Sequence, residues 1–179
     1  MSYGSLARRY SRALLELSKE QGVLAQTQAE LESFAGIVLQ NHQLKDFLAS
    51  FEIVAEKKHK VIEALAAHIQ LSPLLMNFLL LLAQKDRLAA LADIAREFTR
   101  LVDMELGQTR ATLVSATPTS VEVTESVRRA LEAKSKKTVL LNSEIDPEIL
   151  GGLLLKMEGG LWDASIKGAL RRMKEQMLS

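Results

Sequence analysis

Residues 88–116 read LAALADIAREFTRLVDMELGQTRATLVSA, and two hydrophobic periods meet inside this stretch. From Leu88 to Val102 the apolar residues recur every three or four positions, which predicts an amphipathic helix. From Thr109 to Ser115 the residues alternate with a period of two, as side chains do on the two faces of a strand, and β-branched residues are frequent. This pattern predicts a strand. We therefore place a domain boundary at Gly107, between residues 1–106 and residues 107–179.

The sequence before Leu88 predicts five more helices. Their apolar stripes run through Leu6–Leu17, Leu24–Val38, Leu44–Phe51, Val54–Ile69 and onward from Pro73. Ser72-Pro73 is a helix start signal, because a serine oxygen can accept from free first-turn N–H groups and proline lacks the N–H that would go unpaired there. Six helices joined by short connections can bury their stripes only against one another, so residues 1–106 are expected to form a six-helix bundle.

The sequence after Ser115 predicts a smaller mixed domain. Thr119 with Glu122 fits a capping box that starts a helix. The expected elements after it are a strand over Thr138–Leu141, a hairpin through Leu153–Met157 that turns at Gly159-Gly160 and ends near Trp162, and a last amphipathic helix from Asp163 or Ser165. The predicted fold is mainly α, an N-terminal six-helix bundle followed by a small α/β C-terminal domain.

Composition excludes several classes of protein. The 179 residues are 47% hydrophobic and 25% charged, as in ordinary globular chains. No cysteine is present, which excludes disulfides, thiolate metal sites and thiol nucleophiles. With 23 basic and 22 acidic residues the net charge is +1, far from that of a dedicated nucleic-acid binder. The longest apolar run, from Leu74 to Ala83, is too short to cross a membrane, so we expect no direct membrane insertion.

Motifs for catalysis are missing from the sequence. None of His42, His59 and His68 pairs with a glutamate in the manner of the zincin metalloproteases. The Gly-Gly pairs lack the order of a phosphate-binding loop, and no serine sits in a nucleophile-elbow motif. We therefore nominate no catalytic residue, no cofactor and no metal site.

The helix that starts at Pro73 has apolar residues around its whole circumference. One reading is a central helix that is buried on all sides. The other is a helix with one face reserved for an amphipathic partner helix, in a groove shared with the first helix. The pattern alone leaves both readings open.

Several motifs stand in order along the chain: Ala7-Arg8-Arg9-Tyr10-Ser11-Arg12-Ala13-Leu14, Lys85-Asp86-Arg87-Leu88, Val114-Ser115-Ala116-Thr117-Pro118, Ile145-Asp146-Pro147, Ile149-Leu150-Gly151-Gly152-Leu153 and Trp162-Asp163-Ala164-Ser165-Ile166-Lys167. Together they resemble the delta subunit of rotary F-type ATP synthases, whose mitochondrial counterpart is the oligomycin-sensitivity-conferring protein. The resemblance spans nearly the whole chain in order and spacing. The chain departs from the pattern at Ala164, where the family commonly has glycine, and at Glu158-Gly159-Gly160, where it commonly has a Gly-Asp turn.

The resemblance implies a non-catalytic subunit of the peripheral stalk. It would link the catalytic head to the membrane-anchored b subunits and resist rotational torque, as part of a hetero-oligomer on the cytoplasmic face of a bacterial plasma membrane, or at the thylakoid in a photosynthetic host. It implies that the first and fifth helices bind N-terminal helices of alpha subunits, at or near Leu6, Tyr10, Ala13, Leu14, Leu75, Leu79 and Leu82. It also implies that the C-terminal domain binds the b subunits, for which the candidate residues are Ile166, Leu170, Met173 and Met177.

Two alternatives remain beside this interpretation. Arg8, Arg9 and Arg12 and the basic last helix are compatible with a helical nucleic-acid-binding or regulatory module, which the near-neutral charge disfavours. Phosphate binding weakens steeply with added salt, whereas burial of a helix in an apolar groove hardly responds. A small enzyme would need a titratable cluster in a pocket, and the sequence offers no such cluster.

Overall fold

The computed structural model describes residues 3–147, 152–157 and 160–165, except for the side chains of Tyr3 and of residues 160–165. The chain divides into two compact units, Met1–Val102 and Asp103–Ser179. The helices are α1 (Tyr3–Glu20), α2 (Leu24–Gln40), α3 (His42–Ala49), α4 (Ala55–Ile69), α5 (Pro73–Gln84), α6 (Leu91–Glu105) and α7 (Val121–Ser135). The strands are β1 (Gln108–Ser115), β2 (Thr138–Ile145), β3 (Gly152–Met157) and β4 (Gly160–Ser165). The prediction of a mainly helical chain with a smaller part that contains strands is confirmed.

The first unit is built from helices that share one hydrophobic core. Its fully buried side chains come from every helix of the unit and include Leu14, Leu31, Phe34, Leu48, Ile62, Leu75, Leu79, Leu82, Ile94, Phe98 and Val102. The start of α5 is as predicted: the Ser72 Oγ accepts a hydrogen bond from the Leu75 N–H at 3.4 Å, and Pro73 occupies the first turn. The Glu30 carboxylate of α2 accepts from both the N–H and the Oγ of Ser72, at 2.9 and 2.6 Å, and so fixes the start of α5 against α2.

The connection from α5 to α6 differs from the sequence prediction. Leu88–Ala90 forms one turn of 3-10 helix, and α6 begins only at Leu91. Asp86 just before it has a positive φ of 51°, which turns the chain away from the axis of α5. Its carboxylate accepts a hydrogen bond from the Lys58 ammonium of α4 at 2.8 Å, and the Lys58 side chain is only 1% exposed.

The second unit is a four-stranded sheet in the order β2-β1-β3-β4 with α7 packed on it. β1 pairs parallel with β2, and α7 is the crossover that such a parallel pair requires. β3 pairs antiparallel with β1 and with β4, so the predicted hairpin is confirmed. The core between α7 and the sheet consists of Ala111, Leu113, Leu131, Val139 and Leu155.

Three predicted element ends in this unit are wrong. The residue that caps α7 is Ser120, whose Oγ accepts from the Val123 N–H, and not Thr119. β2 continues to Ile145 because all eight of its residues pair with β1. β4 continues to Ser165 because it pairs with β3 along its length, so the last helix cannot begin at Asp163. Residues 166–179, where that helix was predicted, lie outside the described residues.

Candidate partner-binding site

α1 and α5 touch through an aromatic contact. The rings of Tyr10 and Phe78 meet edge to face, with centroids 6.4 Å apart and planes at 68°. The Arg9 guanidinium also lies over the Tyr10 ring, with its carbon 5.2 Å from the ring centroid. The Ser11 Oγ donates a 2.8 Å hydrogen bond to the Ile94 carbonyl, so α1 is anchored to α6 as well.

The structure divides the predicted alpha-binding residues into two groups. Tyr10 is half-buried and Ala13 is exposed, so both present surface beside the contact with α5. The other five lie in the core instead: Leu6 is 6% exposed, and Leu14, Leu75, Leu79 and Leu82 are 0% exposed. A partner cannot touch a side chain that has no accessible surface. These leucines therefore belong to the core that holds α1 and α5 in place.

Two exposed leucines, one on each of these two helices, were missed in the sequence. Leu17 on α1 is 44% exposed and follows Tyr10 and Ala13 at helical spacing. Leu81 on α5 is 43% exposed and lies one turn after the exposed Asn77. We define the docking face as the exposed or half-buried side chains of Tyr10, Ala13, Leu17, Asn77 and Leu81. Asn77 was the signal that could have located it, because a lone polar residue in an apolar helix marks the side that faces water.

The charge beside the docking face is positive. Arg8, Arg9 and Arg12 are exposed on α1 and, together with Ser5, line an open surface cavity. Glu97 of α6 is the carboxylate next to them. Its pKa is held below the usual value, first by a hydrogen bond from Arg100 and more weakly by the charges of Arg100, Arg8 and Arg12, while partial burial acts in the opposite direction. Glu97 is therefore ionised at neutral pH and partly offsets the arginines.

The predicted b-binding residues Ile166, Leu170, Met173 and Met177 lie outside the described residues. The three histidines are scattered: His42 and His68 are exposed, and His59 is half-buried. Among the described residues, no three His, Asp or Glu side chains cluster closely enough to hold a metal ion. Of the helices described here, none has the length and apolar character of a membrane span.

Comparison with known proteins gives one consistent family. The model of the ATP synthase delta (OSCP) subunit family matches residues 6–177. The ATP synthase subunit delta of Geobacter sp. (strain M21) is 32% identical over 175 residues, which cover 98% of this chain and 97% of that protein. The ATP synthase subunit delta of Solidesulfovibrio magneticus is 34% identical and covers 99% of this chain and 98% of that protein.

A solved structure agrees on the fold. A chain of the Toxoplasma gondii mitochondrial ATP synthase hexamer superposes with a TM-score of 0.77 at 22% identity, and covers 97% of this chain and 98% of that one. Both the family model and the bacterial relatives extend across the two units. The chain therefore belongs to the ATP synthase delta (OSCP) subunit family and is a non-catalytic subunit of the peripheral stalk of an F-type ATP synthase.

Proposed function

We propose that this subunit holds the catalytic head still by binding the N-terminal helix of an alpha subunit on the docking face of α1 and α5. Torque from the rotating shaft acts on the head, and a static connection must oppose it. Such a connection requires slow dissociation, which depends on apolar contacts that are well packed and free of water. No reacting group is needed, in agreement with a chain without catalytic motifs.

The observation that carries the proposal is the exposure of apolar residues along two touching helices. Tyr10, Ala13 and Leu17 are spaced as i, i+3 and i+7, and so form a strip along α1. Leu81 extends the apolar surface on α5, which meets α1 at the contact between Tyr10 and Phe78. An amphipathic helix that lies in such a groove buries its own apolar face against these side chains.

The packing beneath the docking face suits a static role. Leu14, Leu75, Leu79 and Leu82 are fully buried under it, so the two helices are held in a fixed relation before the partner arrives. A preformed groove loses little conformational entropy on binding, and that loss otherwise reduces affinity. The face can therefore bind tightly over a modest area.

We further propose that the second unit binds the b subunits and that residues 166–179 take part through Ile166, Leu170, Met173 and Met177. The support for this part is the family relationship and the apolar spacing of these four residues in the sequence. The subunit would then lie peripherally on the cytoplasmic face of the membrane, or at the thylakoid in a photosynthetic host, with one unit for each partner.

Calorimetric titration of the full-length chain with a peptide from the N-terminus of the same organism's alpha subunit tests the docking face. We expect saturable binding with a negative heat-capacity change, because apolar surface is buried. Leu17→Asp and Leu81→Asp should each weaken binding by at least about tenfold, since each places a charge in an apolar interface.

Leu39→Asp is the matched control for both substitutions. Leu39 is 47% exposed on α2, in the same unit, and lies outside the docking face. This variant should bind the peptide as tightly as the unchanged chain. Folded Leu17→Asp and Leu81→Asp variants with full affinity would reject the docking face, and an unchanged chain that does not bind the peptide would reject the proposed partner.

A further inference from the structure

The arginines of α1 form a cluster that does not stabilise their own helix. Arg8 and Arg12 are four residues apart and Arg9 and Arg12 are three apart, the spacings at which side chains on a helix are neighbours. Like charges at these spacings repel and destabilise the helix. The first acidic residue of α1 is Glu16, four residues after Arg12, so Arg8 and Arg9 have no acidic neighbour at helical spacing within α1. The charge of the cluster is therefore only partly compensated within α1.

The surrounding protein only partly neutralises this charge. Glu97 lies near Arg8 and Arg12, but its carboxylate oxygens already accept hydrogen bonds from Arg100 at 2.8 and 2.9 Å. In the part of the chain that the structure describes, neither Arg9 nor Arg12 forms an ion pair with a carboxylate. The donors at the edges of these two guanidinium groups are available to an anion from outside.

The cluster is continuous with the apolar docking face. Arg9 lies over the ring of Tyr10, and Tyr10 contacts Phe78 of α5. A guanidinium that lies over an aromatic ring still has its in-plane N–H groups free, and these bind a carboxylate in bidentate fashion. A ligand on the docking face therefore passes directly beside the donors of Arg9.

The kind of anion follows from the neighbouring surface. Three arginines on a chain of net charge +1 do not provide the extended positive track that nucleic acids require. Beside an apolar strip, they suit a protein helix that carries carboxylates along the edge of its apolar face. The part of α1 after Arg12 is mixed in charge, with Glu16, Lys19 and Glu20, so the excess of positive charge is confined to the part up to Arg12.

We propose that Arg9 and Arg12 bind carboxylates of the partner helix and thereby set the direction in which that helix lies along α1. The acidic end of the partner lies over the part of α1 up to Arg12, because the part after it carries two carboxylates and one ammonium and so repels carboxylates on balance. This inference rests on the proposed function and adds to it the charge pattern and polarity of the partner. Charge pairs at the edge of an interface favour one register and speed association.

The experiment is titration of full-length Arg9→Glu and Arg12→Glu variants with the peptide from the N-terminus of the alpha subunit, at low and high salt. Each variant should bind about tenfold more weakly at low salt, and the difference should shrink at high salt because exposed charges are screened. A peptide whose acidic residues are replaced by lysine should bind the unchanged chain weakly and should regain affinity for the double variant Arg9→Glu/Arg12→Glu.

Lys60→Glu is the matched control, because it makes the same change of net charge at an exposed position of α4. It should leave peptide binding unchanged. If the unchanged chain binds the peptide and both arginine variants bind it equally well, the inference fails while the proposed function stands. If the arginine cluster instead binds a single-stranded oligonucleotide or vesicles of anionic lipid more tightly than the peptide, a carboxylate partner is excluded.

Discussion

Asn77 separates the two faces of α5, although the helix is apolar around most of its circumference. Asn77 and Leu81 are exposed, while Leu75, Leu79 and Leu82 on the opposite side are completely buried. The sequence of an apolar helix does not distinguish a leucine that packs in the core from a leucine that is exposed on the surface. The sequence therefore could not tell which leucines of α5 face outward. An aspartate at Leu79 or Leu82 would test folding rather than binding.

Lys58 and Asp86 form the ion pair that connects α4 to the turn before α6. The Lys58 side chain is 1% exposed, whereas the Asp86 side chain is 46% exposed. Removal of the carboxylate by Asp86→Ala leaves a buried ammonium without its partner and places alanine at a φ of 51°, which alanine tolerates poorly. We expect a loss of about 2–3 kcal/mol in the free energy of unfolding, measured by urea denaturation.

Two variants separate the charge from the backbone at this position. Asp86→Gly removes the carboxylate but accepts the positive φ, and Asp86→Asn keeps an oxygen acceptor and tolerates the same conformation. Asp86→Asn should lower the free energy of unfolding least, and Asp86→Ala should lower it most. Equal losses for all three would mean that only the lost negative charge matters, and neither the oxygen acceptor nor the backbone conformation, and would contradict this account of the turn.

α7 shows how the start of an element depends on neighbours that the sequence does not reveal. Thr119 and Ser120 are adjacent and both are good capping residues. The Thr119 Oγ1 is already engaged with the Ser115 Oγ at the end of β1, 3.0 Å away. Ser120 is left to accept from the Val123 N–H, so the helix starts one residue later than predicted.

Substitution at Ser120 should therefore destabilise α7 more than substitution at Thr119. Ser120→Ala removes the acceptor for a free N–H in the first turn and should destabilise the second unit by about 1 kcal/mol. Amide hydrogen exchange at Val123 should accelerate accordingly. The companion variant Thr119→Ala leaves that acceptor in place, so faster exchange at Val123 in Thr119→Ala than in Ser120→Ala would restore Thr119 as the cap.

The spacing of hydrophobic residues predicted which segments form helices and which form strands. The spacing repeats several times within each element, so a single residue that departs from it does not change the prediction. The ends were less accurate because they depend on pairing between distant segments. β2 reaches Ile145 and β4 reaches Ser165 only because β1 and β3 supply partners along those lengths. Exposure of Leu17 and Leu81 likewise depends on which helices lie alongside, which a single sequence does not specify.

At the scale of the whole molecule, the two units have separate cores. Leu14, Phe34 and Ile94 belong to the first core, and Leu113 and Val139 belong to the second. The sequence places the boundary at Gly107, and the division of the structure falls between Val102 and Asp103, within the last turn of α6. A cut for separating the units must spare that turn, because Val102 is 0% exposed in the first core.

A fragment of residues 1–106 should accordingly fold alone and keep one of the two proposed partners. It contains all of α6, so we expect a helical circular dichroism spectrum, cooperative thermal melting and binding of the alpha-subunit peptide within about twofold of the full chain. It should not capture the soluble part of a b subunit, which the full chain should capture.

A fragment of residues 1–98 is the control, because it lacks Leu101 and Val102 and should melt at a lower temperature or without cooperativity. Capture of the b subunit by residues 1–106 would contradict the assignment of one partner to each unit, because the fragment lacks the sheet, α7 and the four C-terminal apolar residues on which that assignment depends.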